Sequence, residues 1–361
     1  MDPKTPVTPY RIYFIMDDKN HKKQSSNIFA EISTLEEPLT FLDGWIDNNN
    51  QLKSNLGHIS LSQLSQHLRG EHCFPPSKAK PTFRVLSFPR NTTNRYKISL
   101  TEEIFKQIMQ EWNIHEFSAE AFAYNNGTFA ALDSDQSLSI FVKVPNSKPI
   151  GFDSVSITHN RVNGITFVLF HGLEDETEVF SRLESQLEFC QHPFFFTTVL
   201  YSSHQQHLER YHLLVNNALL KTERETGFGG PGMLAGHFIP PKSKVEVDYE
   251  NSIKQLSFCQ TEIAIIGQVG RFNLEYGNWL VDTLKSKDWA TETRDIINEK
   301  LFHEATFSRT KALSLVSQTQ HLKDRVQSQT TLVSHTFTRL HATRFMDKIL
   351  TYADAKSDHS K

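Results

Sequence analysis

From about Asp295 to about Leu350 the chain contains neither proline nor glycine. A stretch this long without either helix breaker reads as one continuous helix. Its apolar and small residues recur in alternating steps of three and four: Ile297, Leu301, Ala305, Ser308, Ala312, Leu315, Thr319, Leu322, Val326, Gln329, Val333, Phe337 and Leu340. That alternation keeps the side chains on one stripe, and such a seam requires a partner helix. At roughly 1.5 Å per residue the helix would be about 80–90 Å long. A rod of this kind joins its domain to something: a membrane, a partner or a second copy of itself.

At 361 residues the chain exceeds what one compact core usually holds, so a domain with an extension, or two domains, is expected. Hydrophobic residues make up 38% and charged residues 22%, with a net charge of −3. This is the composition of a folded protein, and it lacks the basic stripe of a nucleic-acid binder, so no nucleic acid is expected as a partner. The 27 phenylalanines give the amino-terminal half material for a core of its own. Cys73, Cys190 and Cys259 lie far apart, with no CxxC or Cys/His spacing. Neither a zinc site nor a disulfide framework is expected, and a reducing compartment fits. Met1 to Met16 carries three prolines and one short apolar run, which does not read as a signal peptide. No window approaches eighteen uninterrupted apolar residues. The nearest, at Ile263–Ile266, is broken by Gln260, Glu262, Gln268 and Arg271.

Residues 1–174 mix strand and helix signals. Ile12–Met16, Phe83–Phe88 and Leu138–Val144 read as strands. Val155–Thr158 and Ile165–Phe170 flank Asn163-Gly164 and read as a hairpin. Leu61, Leu64 and Leu68 share a helical face, capped by Ser60 and stopped by Gly70. Glu71–Pro81 reads as a loop. Ser99 and Glu102 have capping-box spacing before the face of Ile104, Ile108 and Trp112. The expected fold class is an α/β or α+β amino-terminal domain with a mixed sheet. Residues 175–226 read as a helical pair, the first carrying Phe180, Leu183, Leu187 and Cys190 and ending at Pro193, the second stopping at Gly227. Residues 227–247 form a Gly/Pro-rich linker. Residues 248–355 form a long helical hairpin that ends in the stalk-like helix, and 356–361 a tail. The carboxy-terminal half is thus expected to be long antiparallel helices.

Candidate chemistry is thin. Gly227-Phe228-Gly229-Gly230-Pro231-Gly232 matches GxGxxG as a string, but a helix precedes it and prolines follow, so it reads as a hinge rather than a phosphate cradle. His192, His204, His207 and His212 cluster in sequence without the His-Glu-x-x-His arrangement of a zinc protease, and His303-Glu304 lacks a second histidine. Asn91-Thr92-Thr93 and Asn126-Gly127-Thr128 are formal glycosylation acceptors that read as loop residues. Glu174-Asp175-Glu176 reads as an acidic first helical turn. Gly267 and Gly270 read as a site of close helix packing. No residue is assigned to catalysis, to a cofactor or to a metal, and the chain is expected not to be an enzyme.

Several segments nevertheless stand in a familiar order: Trp45-Ile46-Asp47, the run Ser99 to Ile114, Ser181 to Glu184 through His192-Pro193-Phe194-Phe195, Val199-Leu200-Tyr201 with Glu209-Arg210, Glu225-Thr226-Gly227, and Gln320 to Gln329. In this order and spacing the chain resembles the cytoplasmic part of fungal CorA-like magnesium transporters. The resemblance implies an α/β/α cytoplasmic domain followed by long helices. The last of these would be a stalk that leads into a membrane span, in a five-fold assembly with divalent cations between its cytoplasmic domains. Both spans and the Gly-Met-Asn pore tripeptide are missing from this sequence, and Tyr276-Gly277-Asn278 falls within a helix upstream of the stalk. Without a spanning element the chain is not expected to conduct ions alone. The resemblance therefore implies a cytoplasmic sensing or assembly module. It would be either cut before its membrane segments or a relative that kept sensor and stalk. Its candidate ligand is Mg2+, with no residue assigned to it. Its partners would be further copies or full-length CorA-like subunits, met through the carboxy-terminal helix, with membrane contact only through a partner. Two other readings are a helical scaffold unrelated to ion transport and, more remotely, an enzyme holding phosphate on the glycine-rich loop.

Overall fold

A computed structural model describes residues 29, 38–49, 51–71, 80–89, 98–123, 127–145, 152–172, 176–228, 247–286 and 292–358, with the backbone alone at 80, 120, 123, 176–177, 292–295 and 352–358. It divides into two compact units, Met1–Leu208 with Arg271–Ala312, and Glu209–Gly270 with Leu313–Lys361.

The first unit holds a seven-stranded sheet. Its strands are β1 (Leu39–Ile46), β2 (Leu52–Ile59), β3 (Lys80–Phe88), β4 (Thr128–Asp133), β5 (Ser137–Lys143), β6 (Ser154–Asn160) and β7 (Thr166–His171). They lie in the order β2-β1-β3-β7-β6-β5-β4. The β3–β7 pair is parallel and the other neighbours are antiparallel, so the sheet is mixed as the sequence predicts. The β6–β7 hairpin forms at the expected turn. Gly164 takes φ +74, and the Asn160 side-chain oxygen accepts from the amides of Val162 (2.9 Å) and Asn163 (3.2 Å). The β1–β2 turn is tied by Asp47, whose carboxylate accepts from the amides of Asn49 (2.9 Å) and Gln51 (2.8 Å).

Helices α1 (Leu61–Leu68), α2 (Glu102–Glu111) and α3 (Phe117–Ala123) contribute to one continuous core with the sheet. Leu64, Leu68, Phe105, Ile108 and Phe122 pack there with Phe41, Leu86, Phe88 and Leu169. α1 begins at Ser60, whose amide donates to the Gln63 side chain at 3.2 Å, and is followed by Gly70 at φ +79. The cap of α2 is Thr101 rather than Ser99. Thr101 Oγ1 accepts from the Ile104 amide at 3.4 Å, while the Ser99 hydroxyl donates to the Pro89 carbonyl at 2.6 Å. β3 begins at Lys80, three residues earlier than expected. The expected strand Ile12–Met16 lies outside the described residues.

The opposite face of the sheet meets long helices. These are α5 (Phe195–Thr226) and α6 (Tyr249–Lys285); α4 (Glu176–Ser185) precedes them and α7 (Glu292–Asp358) follows. Within the first unit Phe83 packs on Phe196 with ring centroids 5.5 Å apart. Phe129 lies 5.4 Å from Tyr276 and 5.5 Å from Trp279. The first helix of the expected pair ends sooner than its apolar spacing suggests. α4 stops at Ser185, Gln186 leaves helical geometry at φ −124, and Leu187–Phe189 is a 3-10 turn. Pro193, which has no amide proton to donate, prevents the helix from resuming before α5.

The seam of α7 is buried at Leu301, Ala305, Ser308 and Ala312 in the first unit, and at Leu315, Thr319, Leu322, Val326, Gln329 and Val333 in the second. Its partners come from the same chain. In the first unit Ser308 donates to Ser202 of α5 at 3.0 Å. In the second, Arg325 reaches Glu223 (2.8 Å) and Asn216 (2.9 Å) of α5. Gln327 accepts from Gln260 of α6 at 3.2 Å. The contact order makes α6 antiparallel to its neighbours, with Asn273 bonded to Gln205 in the first unit.

The glycines of α6 differ in what they face. A Cβ at Gly277 would overlap the hydroxyl of fully buried Tyr201, whereas one at Gly270 would stand 3.5 Å from Val316, an ordinary contact. Both replacements gain helix propensity of up to about 1 kcal/mol. Gly270→Ala is therefore expected to be neutral or slightly stabilising, and Gly277→Ala to destabilise by about 1–3 kcal/mol. Thermal or urea unfolding followed by circular dichroism checks the pair. Equal effects would contradict the close approach at Gly277.

Candidate functional site

Alternation along β1 and β3 sets Asp43 and Arg84 directly opposite each other in register, both on the α1–α2 face. Arg84 donates Nε to Asp43 Oδ1 at 3.1 Å and Nη2 to Oδ2 at 3.3 Å. Its remaining donors close the end of α1, with Nη1 on the Leu68 carbonyl at 2.8 Å and Nη2 on that of His67. The guanidinium carbon lies 5.4 Å from the Trp112 ring centroid, and His67 Nδ1 stands 3.8 Å from the Asp43 carboxylate. All three charged or titratable side chains are buried. Burial pushes the Asp43 carboxyl up to about 6, against the opposing charge and hydrogen bonds of Arg84.

A second buried cluster sits where β5, β6 and β7 meet. Lys143, Ser154 and His171 are cross-strand neighbours, and Asp153 just precedes β6. The Asp153 carboxylate accepts from Lys143 Nζ and lies 2.8 Å from His171 Nδ1. Phe88 packs 5.0 Å from the His171 ring, and Phe122 stacks on it at 6.1 Å. Burial by itself would raise the Asp153 carboxyl. The hydrogen bond to His171 and the charge of Lys143 outweigh it and hold the carboxyl below its ordinary range. Two carboxylates on one sheet are thus displaced in opposite directions. Both clusters are shut off from solvent, and neither has an open position for a reacting molecule.

A half-buried hub joins helices within the first unit. Arg182 of α4 donates to Ser202 Oγ (2.7 Å) and Gln206 Oε1 (3.3 Å) of α5 and to Glu304 Oε1 (3.0 Å) of α7. Its three partners leave it clamping helices together rather than facing a cleft.

The residues singled out in the sequence do not converge. His192 is buried, and His204 is buried against Phe152 at 5.3 Å. His207 Nδ1 donates to the Ser203 carbonyl at 2.9 Å, with Nε2 3.7 Å from Glu178. His212 is half-buried, which lowers its proton affinity. His303 is exposed, and its neighbour Glu304 belongs to the Arg182 hub. Among the described residues no group of three His, Cys, Asp or Glu side chains is arranged to hold a metal. Gly227, at φ +73, terminates α5. Residues 229–232 lie outside the described residues, as do Asn91–Thr93, Asn126, Glu174, Asp175 and Cys73. Cys190 and Cys259 are buried thiols, and burial pushes Cys190 up to about 12. No helix among the described residues is long and apolar enough to cross a membrane. Sequence reasoning missed both buried clusters. Their only local signal was a charge set inside an otherwise apolar run, as in Phe83-Arg84-Val85.

No protein-family model matches the sequence, and no curated protein matches it. Among solved structures, the cytoplasmic domain of ZntB from Vibrio parahaemolyticus is similar at 9% identity, covering 83% of this chain and 99% of that one, with a TM-score of 0.48. Full-length CmaX is similar at 12% identity, covering 88% of this chain and 84% of that one, with a TM-score of 0.46.

The two carboxylates make opposite pH predictions. Asp43 binds its proton more tightly when folded, so stability falls as pH rises from about 4 to about 6 and levels off above. Asp153 binds it less tightly, so its contribution is present above about pH 4 and is lost as pH falls further. Urea unfolding at pH 4.5 and 7 is expected to show a loss on the order of 1–3 kcal/mol in the wild type relative to Asp43→Asn. Identical differences in the two proteins would contradict it. Lys143→Met, which leaves the Asp153 charge buried with less compensation, is expected to cost about 3–5 kcal/mol, and Asp153→Asn in the same chain to recover part of it.

Proposed function

We propose that this chain is a CorA-like cytoplasmic domain whose role is divalent-cation sensing or assembly rather than catalysis. The reading rests on two supports: the ordered resemblance from Trp45 to Gln329, and an α/β/α unit followed by helices that end in the continuous α7. The single observation that carries it is α7 itself. Its seam is covered by the chain's own helices through Val333, and the helix then continues outward with side chains exposed from 341 to 351. A helix that continues beyond its packing partners is built to bring its domain to a further element. On this reading the ligand is Mg2+ or a similar hard cation, held between copies by oxygen ligands. The partners are further copies or full-length CorA-like subunits, met through the outer side of α7, in a cytoplasmic setting.

A helical scaffold unrelated to ion transport would need the same in-chain closure of the seam, and cation response separates the two. Sedimentation velocity and limited proteolysis with and without millimolar Mg2+ are expected to show a change in oligomer distribution or in cleavage rate. A monomer with the same cleavage pattern at every Mg2+ concentration would contradict the sensing role and favour the scaffold.

A further inference from the structure

Continued past Val333 by its own steps, the seam of α7 falls on Phe337, Leu340, Arg344, Asp347 and Thr351, so it turns polar after Leu340. A second apolar row begins in the same turns. Ala342, Phe345, Met346, Ile349 and Leu350 stand at i, i+3, i+4, i+7 and i+8, the spacing of a single apolar face. At about 100° per residue this face lies on roughly the opposite side of the helix from the seam. It is uncovered: Phe345 is 65% exposed, Met346 56%, Ile349 46% and Leu350 58%. Scattered exposed apolar residues need no explanation, but four large ones on one helical face do.

The charge around this face narrows the occupant. Between Arg339 and Leu350 three cations, Arg339, Arg344 and Lys348, accompany one anion, Asp347, in a chain whose net charge is −3. Two copies of this segment placed side by side would bring net positive charge against net positive charge. An anionic surface would neutralise it. The apolar row is far shorter than the 18 or more residues that crossing a bilayer requires, so its fit is to an interface, not an interior. At about 100° per residue Arg339 falls within this face and Lys348 beside its Phe345 edge, while Arg344 stays on the seam side. A short apolar face with cations within it and at its edge is the arrangement of a helix lying in the headgroup region.

We infer that the end of α7, about residues 339–351, docks on an anionic lipid surface. Phe345, Met346, Ile349 and Leu350 enter the acyl boundary. Arg339, within the face, and Lys348, at its Phe345 edge, reach the phosphates with their charged ends, while Arg344, on the seam side, adds to the positive field from farther out. This contact is direct, unlike the membrane contact through a partner that the resemblance implies, and it does not depend on the Mg2+ reading.

Flotation of the full chain with vesicles tests it, using phosphatidylcholine alone and phosphatidylcholine with about 30% phosphatidylserine. The wild type is expected to float with the anionic vesicles, not with the neutral ones, and to be released at high salt. Phe345→Glu/Ile349→Glu is expected to abolish flotation, and Arg339→Glu/Lys348→Glu to weaken it at least about tenfold. Unchanged far-ultraviolet circular dichroism confirms that these exposed substitutions leave the helices intact. Three results would each overturn the inference. One is a helical wild type that stays in the aqueous fraction with anionic vesicles at low salt. Another is flotation that Phe345→Glu/Ile349→Glu leaves unchanged. The third is lipid-free dimerisation that the same variant abolishes, which would make a second copy the occupant.

Discussion

The unbroken three-four alternation from Leu301 to Val333 is the constraint on which the helical half depends. Each seam residue is buried against helices of its own chain. Those helices must therefore be long enough to follow it, and α5 and α6 run 32 and 37 residues. Polar groups on the seam are accommodated locally. Thr319 returns its hydroxyl to the Leu315 carbonyl at 2.7 Å, and Gln329 donates to the Phe228 carbonyl at 2.8 Å, next to the glycine that ends α5. Arg325, pairing with Glu223 and Asn216, fixes the register of α7 against α5 in the second unit. An apolar seam alone could slide by one heptad, whereas a fork of guanidinium bonds to two partners on α5 resists that slip.

In the first unit a comparable role falls to the buried charges of the sheet. Arg84 bonds a carboxylate on the neighbouring strand and the last carbonyls of α1, so a single side chain aligns strand, strand and helix. Asp153 does the same at the junction of β5, β6 and β7. Pairs of this kind contribute little net stability once desolvation is counted, but removing one partner is costly. Their effect is on which arrangement forms. Gly44 adds a steric condition, because a Cβ there would meet the ring of Phe83, so β1 can lie over that ring only with glycine at this position.

Much of this architecture was legible in the sequence, and the exceptions have definite causes. The long helices of the carboxy-terminal half were legible, because Asp295 to Leu350 holds neither glycine nor proline and α7 runs unbroken through it. The β6–β7 hairpin followed from Asn163-Gly164. β1 was missed because Asp43 and Gly44 read against a buried strand until their partners Arg84 and Phe83 are known. β2 was missed because an edge strand such as Leu52–Ile59 keeps polar residues. The α2 cap was misplaced by two residues because Ser99 and Thr101 both offer a hydroxyl, and only the tertiary bond from Ser99 to Pro89 decides between them. Close helix packing was expected at Gly267 and Gly270; at Gly270 an added Cβ would make an ordinary contact with Val316, and a closer approach is found at Gly277, where Tyr201 lies against the glycine. No functional constellation could be read, and the histidines that cluster in sequence point to different surroundings.

Closure of the seam within the chain makes the last turns of α7 an outward-facing surface instead of half of an open coiled coil. The direct test is residue-resolved amide hydrogen exchange along α7 in dilute, lipid-free protein. Closure predicts strong protection from Leu301 to Val333 that is independent of protein concentration, falling away from about residue 341 onward. If Leu315 to Val333 exchanged as fast as residues 341–350, or became protected only as concentration rose, the seam would be open in the single chain and the account would fail.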